Sequence, residues 1–283
     1  MGRAGVLVAS VLLAVLTGCE PGGGTGATPT STVPNLEAHT SVLDVVRAAD
    51  EAAKQKGSAF FKLSGGKPPK PFGAGRLVYR KRGSDMLIRT LQRKQNIEVR
   101  AIGDALFARP SGQVTGMVLG KPWITLPMAA QQPLAQVLAP AMVKAREKVD
   151  PTQAFDLLVA SGTLAASDRV RLGDAELTRY EIDVDVAELA EHIENSSPAQ
   201  ARQQLVTSLR TAADQGKAMV SAWVWLDHNN LPRKLRITDI WALPAPRAGK
   251  VALPKITVAY RDWGKAPKRL APPPPGSVAA MPG

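Results

Sequence analysis

Few residues in this chain can do chemistry, and the most telling is Cys19, the single cysteine among 283 residues. Its thiol follows Leu16-Thr17-Gly18 at the end of an apolar run from Val6 to Leu16, with Arg3 ahead of that run. A charged start, an apolar stretch too short to span a bilayer and small residues before the cut are the marks of a cleaved export signal. With no second cysteine to pair with, the thiol left at the new N-terminus is suited to acylation, so Cys19 is expected to be an anchor and not a catalyst. His39, His192 and His228 stand at spacings that fit no metal-ligand pattern, each expected at the surface, and neither metal nor cofactor is expected. No G-x-S-x-G elbow or S-x-x-K pair is present. Gly116-Met-Val-Leu-Gly120-Lys121-Pro122 has one residue too few for a phosphate loop, and proline where a magnesium-holding hydroxyl is needed. Asp183 and Asp185 alternate with apolar neighbours, which puts them on a wet strand face. No catalytic residue is expected, and the chain reads as a non-enzyme.

The signal at residues 1–18 resembles the bacterial lipobox, in which the cysteine takes a diacylglyceryl group. Residues 19–39 then read as a tether: Gly22-Gly23-Gly24, Gly26, Pro29 and Pro34 stand among Thr and Ser with almost nothing to bury. Such a spacer reaches on the order of 25 Å. The formal charge of +12 would suit nucleic acid in a cytosolic protein, but an exported, anchored one meets anionic headgroups first. Location on the outer face of the cell membrane, and no nucleic-acid partner, are therefore expected. With 45% apolar residues the remainder can build one globular core, assigned to residues 40–264 and followed by a Pro-rich tail at 265–283.

Within that body the pattern alternates between helix and strand. Ser41-Val-Leu-Asp44 is a capping box, and Val42, Val45, Val46, Ala49, Ala52 and Ala53 follow at helical spacing until Gly57. Apolar clusters from Ser58 to about Pro110 then read as consecutive antiparallel strands, with Gly at the breaks and a hairpin over residues 101–107. Lys121 to Leu126 adds a short strand. A helical texture over Ala129 to Gly162 includes a clean start at Asp150-Pro151, with Phe155, Leu158 and Val159 on its buried face. Strict alternation from Leu177 to Asp185 predicts a strand buried through Thr178, Tyr180, Ile182 and Val184. Two helices begin at Asp185 and Ser197. The strands Met219 to Leu226 and Leu231 to Trp241 form a hairpin around Asp227-His-Asn-Asn230, and Ile256 to Trp263 is a last strand. Helices inserted between antiparallel runs predict an α+β domain with helices on one face of a large curved sheet.

One strand carries more apolar surface than a one-sided sheet needs. In Val220-Ser-Ala222-Trp223-Val224-Trp225-Leu226 both alternating faces are apolar. Either loops and helices cover both faces, or a hydrophobic ligand covers one.

The order of elements, with Gly120-Lys-Pro-Trp-Ile124, Thr178-Arg-Tyr-Glu-Ile-Asp183, Trp223-Val-Trp-Leu-Asp227, Leu231-Pro-Arg233 and Val258-Ala-Tyr-Arg-Asp-Trp-Gly264, resembles the actinobacterial LppX/LprG-type lipoproteins. That family is similar in fold to the LolA/LolB carriers. The resemblance implies a strongly curved antiparallel half-barrel whose concave side is plugged by helices, around a cavity for acyl chains. It further implies a lipid or lipoglycan ligand bound and transferred in the cell envelope, with Trp223, Trp225, Leu77 and Tyr79 as candidates for lining the cavity. An envelope transporter is an expected protein partner. The alternative reading is an envelope scaffold or regulatory lipoprotein using the same fold without a lipid, with Pro272-Pro-Pro-Pro275 as its docking segment.

Overall fold

Helix α1 (Val42–Lys56) begins at the capping box. Ser41 is extended at φ −133°, ψ 156°; its oxygen accepts from the Asp44 amide at 3.1 Å, and its hydroxyl donates to the Asp44 carboxylate at 2.7 Å. Gly57, left-handed at φ 77°, ends the helix by donating its N–H to the Ala53 carbonyl. Val45, Ala49 and Ala53 face inward and are fully buried.

The computed structural model describes residues 38–66, 68–81, 83–90, 97–103, 105–109, 120–126, 150–196, 200–238 and 255–280. All of these belong to the unit Leu36–Gly283. The leader, Cys19 and the tether up to residue 37 lie outside them, as do residues 129–149, the start at Ser197-Pro198-Ala199 and residues 239–241.

The described strands are β1 (Ser58–Gly65), β2 (Lys70–Tyr79), β3 (Ser84–Thr90), β4 (Glu98–Ile102), β5 (Ala105–Arg109), β6 (Trp123–Leu126), β7 (Gly162–Leu172), β8 (Ala175–Asp185), β9 (Met219–Leu226), β10 (Pro232–Thr238), β11 (Lys255–Arg261) and β12 (Val278–Ala280). They make one open sheet ordered β12-β6-β5-β4-β3-β2-β1-β11-β10-β9-β8-β7, antiparallel except where β12 joins β6. With α1, the helices α2 (Pro151–Ser161), α3 (Val186–Ser196) and α4 (Gln200–Asp214) complete an α+β fold among the described residues. The first and the last long strands meet at its centre, β1 pairing β11 from Phe60↔Arg261 to Gly65↔Ile256.

Alternation divides the sheet into two faces. Phe61, Leu63, Leu77, Met86, Val99, Ile182, Val224, Leu235 and Val258 point to the side where Val45, Phe155, Leu189 and Leu209 of the four helices meet them in one continuous core. In β8 the expected stripe Thr178, Tyr180, Ile182, Val184 is buried. Asp185 at its end turns the chain into α3 by accepting from the Ala187 and Glu188 amides at 2.7 and 3.0 Å. The β9–β10 turn forms as expected: Asp227 Oδ1 accepts from the Asn229 and Leu231 amides at 2.9 and 3.1 Å, and Asn230 takes the left-handed conformation at φ 58°.

The structure corrects the sequence reading in three places. The first concerns the tail: Ala266, Leu270 and Ala279 are buried, Leu270 packs on Val78 and Leu87 of the far face, and β12 extends the sheet, so the domain continues past Gly264. The tether also ends early. His39, expected at the surface, donates its backbone N–H to the Tyr180 hydroxyl at 3.3 Å and sets its ring 5.9 Å from that of Tyr180. Third, glycines do more than punctuate. Gly73 and Gly75 lie inside β2, where Leu63 and Phe61 of β1 cross above them.

On the far face Glu98 is almost fully buried, within 2.9 Å of Arg89 and Arg100 and 3.3 Å of Arg109. Burial alone would raise its pKa, but hydrogen bonds from Arg100 and Arg89 outweigh burial and hold the carboxyl below its ordinary range. A depressed folded-state pKa means stability that is complete above the unfolded value of about 4.3 and lost as pH falls through the folded one. Glu98→Gln is therefore expected to cost about 1.5–3 kcal/mol at neutral pH, with its melting-temperature gap to the parent closing below pH about 4. A gap that stays constant down to pH 2 in thermal melts would refute the ion-pair account.

Candidate functional site

Among the described residues, apolar side chains of the first two helices stand open to solvent at one cleft. Leu43 of α1 is 46% exposed and Val159 of α2 is 40% exposed, and both line one cleft of about 870 Å³. Val159 was expected on the buried face of α2 with Phe155 and Leu158; those two are buried and Val159 is not. Val46 and Phe155 form the apolar wall behind them, joined to the main core.

Polar groups occupy the rest of the lining. Arg47, Asp50 and Lys54 follow at helical spacing along α1, Asp156 comes from α2 and His192 from α3. Lys54 Nζ lies 2.6 Å from Asp50 Oδ2. Asp50 Oδ1 is buried without a hydrogen-bond partner, and so is the Tyr79 hydroxyl from the end of β2. Buried polar atoms are normally satisfied, so two orphans on one cleft are unusual. Asp150, at the start of α2, accepts a hydrogen bond from Ser84 Oγ. Burial, reinforced by Asp50 and Asp150 and opposed by Lys54 and His192, pushes the Asp156 carboxyl above its ordinary range. Burial likewise raises the Tyr79 phenol, with Asp150, Tyr260 and Asp50 adding to it, so Tyr79 is a neutral donor at any physiological pH. The Tyr79 ring is fixed by stacking on Trp263, centroids 6.4 Å apart, while Trp263 Nε1 donates to the Pro232 carbonyl at 2.9 Å.

Of the four side chains expected to line a cavity, Tyr79 lines this cleft. Leu77, two residues earlier on the same face, is fully buried in the core. Trp223 and Trp225 point to the far face, away from the helices, because their neighbours Ala222, Val224 and Leu226 take the core side. Cations cover them there: Lys234 Nζ sits 4.6 Å from the Trp225 ring centre, and Lys255 Nζ 4.1 Å from that of Trp223. Both faces of β9 are thus covered without a ligand. His192, expected as plain surface, borders the cleft, and His228 is exposed in the β9–β10 turn. Among the described residues no three His, Cys, Asp or Glu side chains converge as a metal site requires. No described helix is long and apolar enough to cross a membrane.

Chemically the cleft offers apolar walls, one buried neutral hydroxyl donor, one buried oxygen of an otherwise partly exposed, Lys54-paired carboxylate and a rim of mixed charge. That combination fits an amphipathic molecule, with a chain against Leu43, Val46, Phe155 and Val159 and a polar head at Asp50, Lys54 and Tyr79. Tyr79→Phe tests the orphaned hydroxyl directly. Removing it keeps the ring stack and is expected to stabilise the ligand-free protein by about 1 kcal/mol, the desolvation cost of an unsatisfied group. A fall in melting temperature in calorimetry would show that the hydroxyl is satisfied.

No family model matches the chain, and no curated protein matches it. Among solved structures it is similar to LprF from Mycobacterium bovis, over 83% of this chain and 96% of that one, at 10% identity and a TM-score of 0.40. At that level of likeness, the reading of the site rests on this chain's own residues.

Proposed function

We propose that this protein is a non-enzymatic lipoprotein, anchored through Cys19 to the outer face of the cell membrane, which binds a lipid or lipoglycan by its acyl chain and passes it on within the envelope. The observation that supports this most is the pair of exposed apolar side chains, Leu43 and Val159, lining a cleft that also holds two unpartnered buried polar atoms. Affinity would come from burying methylenes, at ~0.8 kcal/mol for each removed from water. The likeness in element order to the LppX/LprG-type lipoproteins agrees with this reading, and with a sheet strongly curved around the helices.

Native mass spectrometry of the full chain, before and after organic extraction, tests it. Two mass increments are expected: one covalent, abolished by Cys19→Ser, and one that extraction removes. A bare polypeptide mass that stays bare after incubation with envelope lipids would sink the lipid reading and leave the scaffold alternative standing.

A further inference from the structure

The far face of the sheet carries a cluster of side chains that the cleft does not involve. Across four adjacent strands, alternation brings Trp223 and Trp225 of β9, Lys234 and Arg236 of β10, Lys255 and Arg261 of β11, and Phe60 and Lys62 of β1 to that one side. The register opposes Trp225 to Lys234, Trp223 to Arg236, and Phe60 to Arg261. Each aromatic ring carries a cation: Lys234 Nζ 4.6 Å from Trp225, Lys255 Nζ 4.1 Å and Arg236 Cζ 5.3 Å from Trp223, and Arg261 Cζ 5.9 Å from Phe60. Trp225 is buried beneath Lys234 while Trp223 and Phe60 are half-buried, and the outer margin is exposed, with Lys62 and Ala259 open to solvent and the Arg261 side chain 73% accessible.

Cation–π pairing covers each ring, yet it gathers the cations on adjacent strands. Like charges on neighbouring strands repel, and here Lys234 and Arg236 of β10 stand diagonal to Arg261 and Lys255 of β11. Acidic groups stand at the margins: Glu181 opposite Trp223, Asp168 held by Arg179 at 2.8 Å, and Asp262 beside Arg261 at 3.8 Å. The centre of the patch is cationic and aromatic. Four strands at about 4.8 Å spacing span roughly 15 Å, a broad face and not a groove.

We infer that this aromatic and cationic face docks the domain flat onto an anionic lipid bilayer. Amphipathic tryptophans and long cationic stems favour the headgroup layer, where ring and stem meet apolar matter and the charged tip meets phosphate. Charge complementarity selects an anionic surface, and the breadth of the face favours a surface over a single extended polymer. Docking of this kind goes beyond a lipid in the cleft, which opens on the opposite, helical side of the sheet.

The full chain is mixed with vesicles of phosphatidylcholine, alone or with phosphatidylglycerol, carrying bromine on the acyl chains to quench tryptophan on contact. Quenching is expected to rise with the anionic lipid, to fall with added salt and to lose its anionic component when Trp223 and Trp225 are both replaced by Phe. Lys234→Gln, Arg236→Gln and Lys255→Gln together should lower the docked-to-free ratio by about fivefold per cation removed, with the far-ultraviolet circular dichroism unchanged. Arg171→Gln on β7, whose neighbours place it on the helical side, is the control and should change nothing. Equal quenching in neutral and anionic vesicles, or a triple variant that docks like the parent, overturns the inference. So does shielding of Trp223 from an aqueous quencher by soluble polyglutamate as complete as that by vesicles, because the occupant would then be a soluble polyanion. The extractable mass in the native spectrum does not depend on this face, so it separates a failure of docking from a failure of the cleft reading.

Discussion

Gly75→Ala should be among the most destabilising single substitutions in this domain, costing more than about 3 kcal/mol and lowering expression of folded protein. A β-carbon at Gly75 would lie 1.9 Å from the Leu87 carbonyl oxygen and 2.6 Å from Cζ of Phe61. Neither neighbour can move cheaply. The Leu87 carbonyl belongs to the β2–β3 ladder, and the Phe61 ring is 2% exposed in the main core. Either the ladder opens, or the ring leaves its place and the core repacks, and overpacking of this kind runs at or above the usual range of about 1–3 kcal/mol. Gly103 makes the comparison. It adopts φ +56° in a turn with nothing within 4 Å of an added β-carbon, so Gly103→Ala costs only the local backbone strain of about 1 kcal/mol. Denaturant titration of both variants should give a clearly larger loss at Gly75, and equal losses would mean that the Phe61 ring does not lie across Gly75 in solution.

What could be read from the sequence followed how local each signal was. Ser41 with Asp44 and Gly57 marks both ends of α1, the alternation from Thr178 to Val184 gives β8, and Asp227 to Asn230 gives the β9–β10 turn, since each depends on contacts within a few residues. Strand β7 was not legible. It lies at the sheet edge with most of its residues exposed, so it needs no apolar alternation, and its mixture of Ala, Ser, Asp and Arg has no period. The C-terminal segment was misread for the opposite reason. Ala266, Leu270 and Ala279 look sparse along the chain, and only contacts distant in sequence make them interior, with Leu270 on Val78 and Leu87 and β12 alongside β6. The two tryptophans of β9 stand among the cavity candidates because both faces of that strand are apolar, a pattern that cover by the chain's own groups explains equally well, and cations from β10 and β11 do cover the second face. For the cleft, one signal was present and unused: Leu43 is a large apolar residue off the buried stripe of α1, a position where packing asks for nothing apolar.

That misplaced leucine supplies the sharpest test of the proposed function. Leu43→Asp with Val159→Asp should leave the fold nearly intact and abolish ligand retention. Because both side chains are about half exposed, each exchange falls in the class of surface substitutions worth about 0.5 kcal/mol or less, and a carboxylate at position 43, in the first turn of α1, would favour the helix dipole by about as much as one at position 159, in the last turn of α2, opposes it. An acyl chain laid against the same two positions would face two carboxylates in place of its apolar contacts. If only about four methylenes lose their burial, at ~0.8 kcal/mol each, affinity falls by about 3 kcal/mol, on the order of a hundredfold. The extractable mass should therefore vanish from the native spectrum of the double variant while its melting temperature stays close to the parent's. Retention of the ligand would place it elsewhere and leave the cleft without its proposed role. Loss of both ligand and melting transition would show instead that Leu43 and Val159 hold the fold. Their exposure is what separates the two outcomes: stability has little use for two large apolar side chains in solvent, so a change there that removes the ligand and spares the fold is one that a structural role cannot produce.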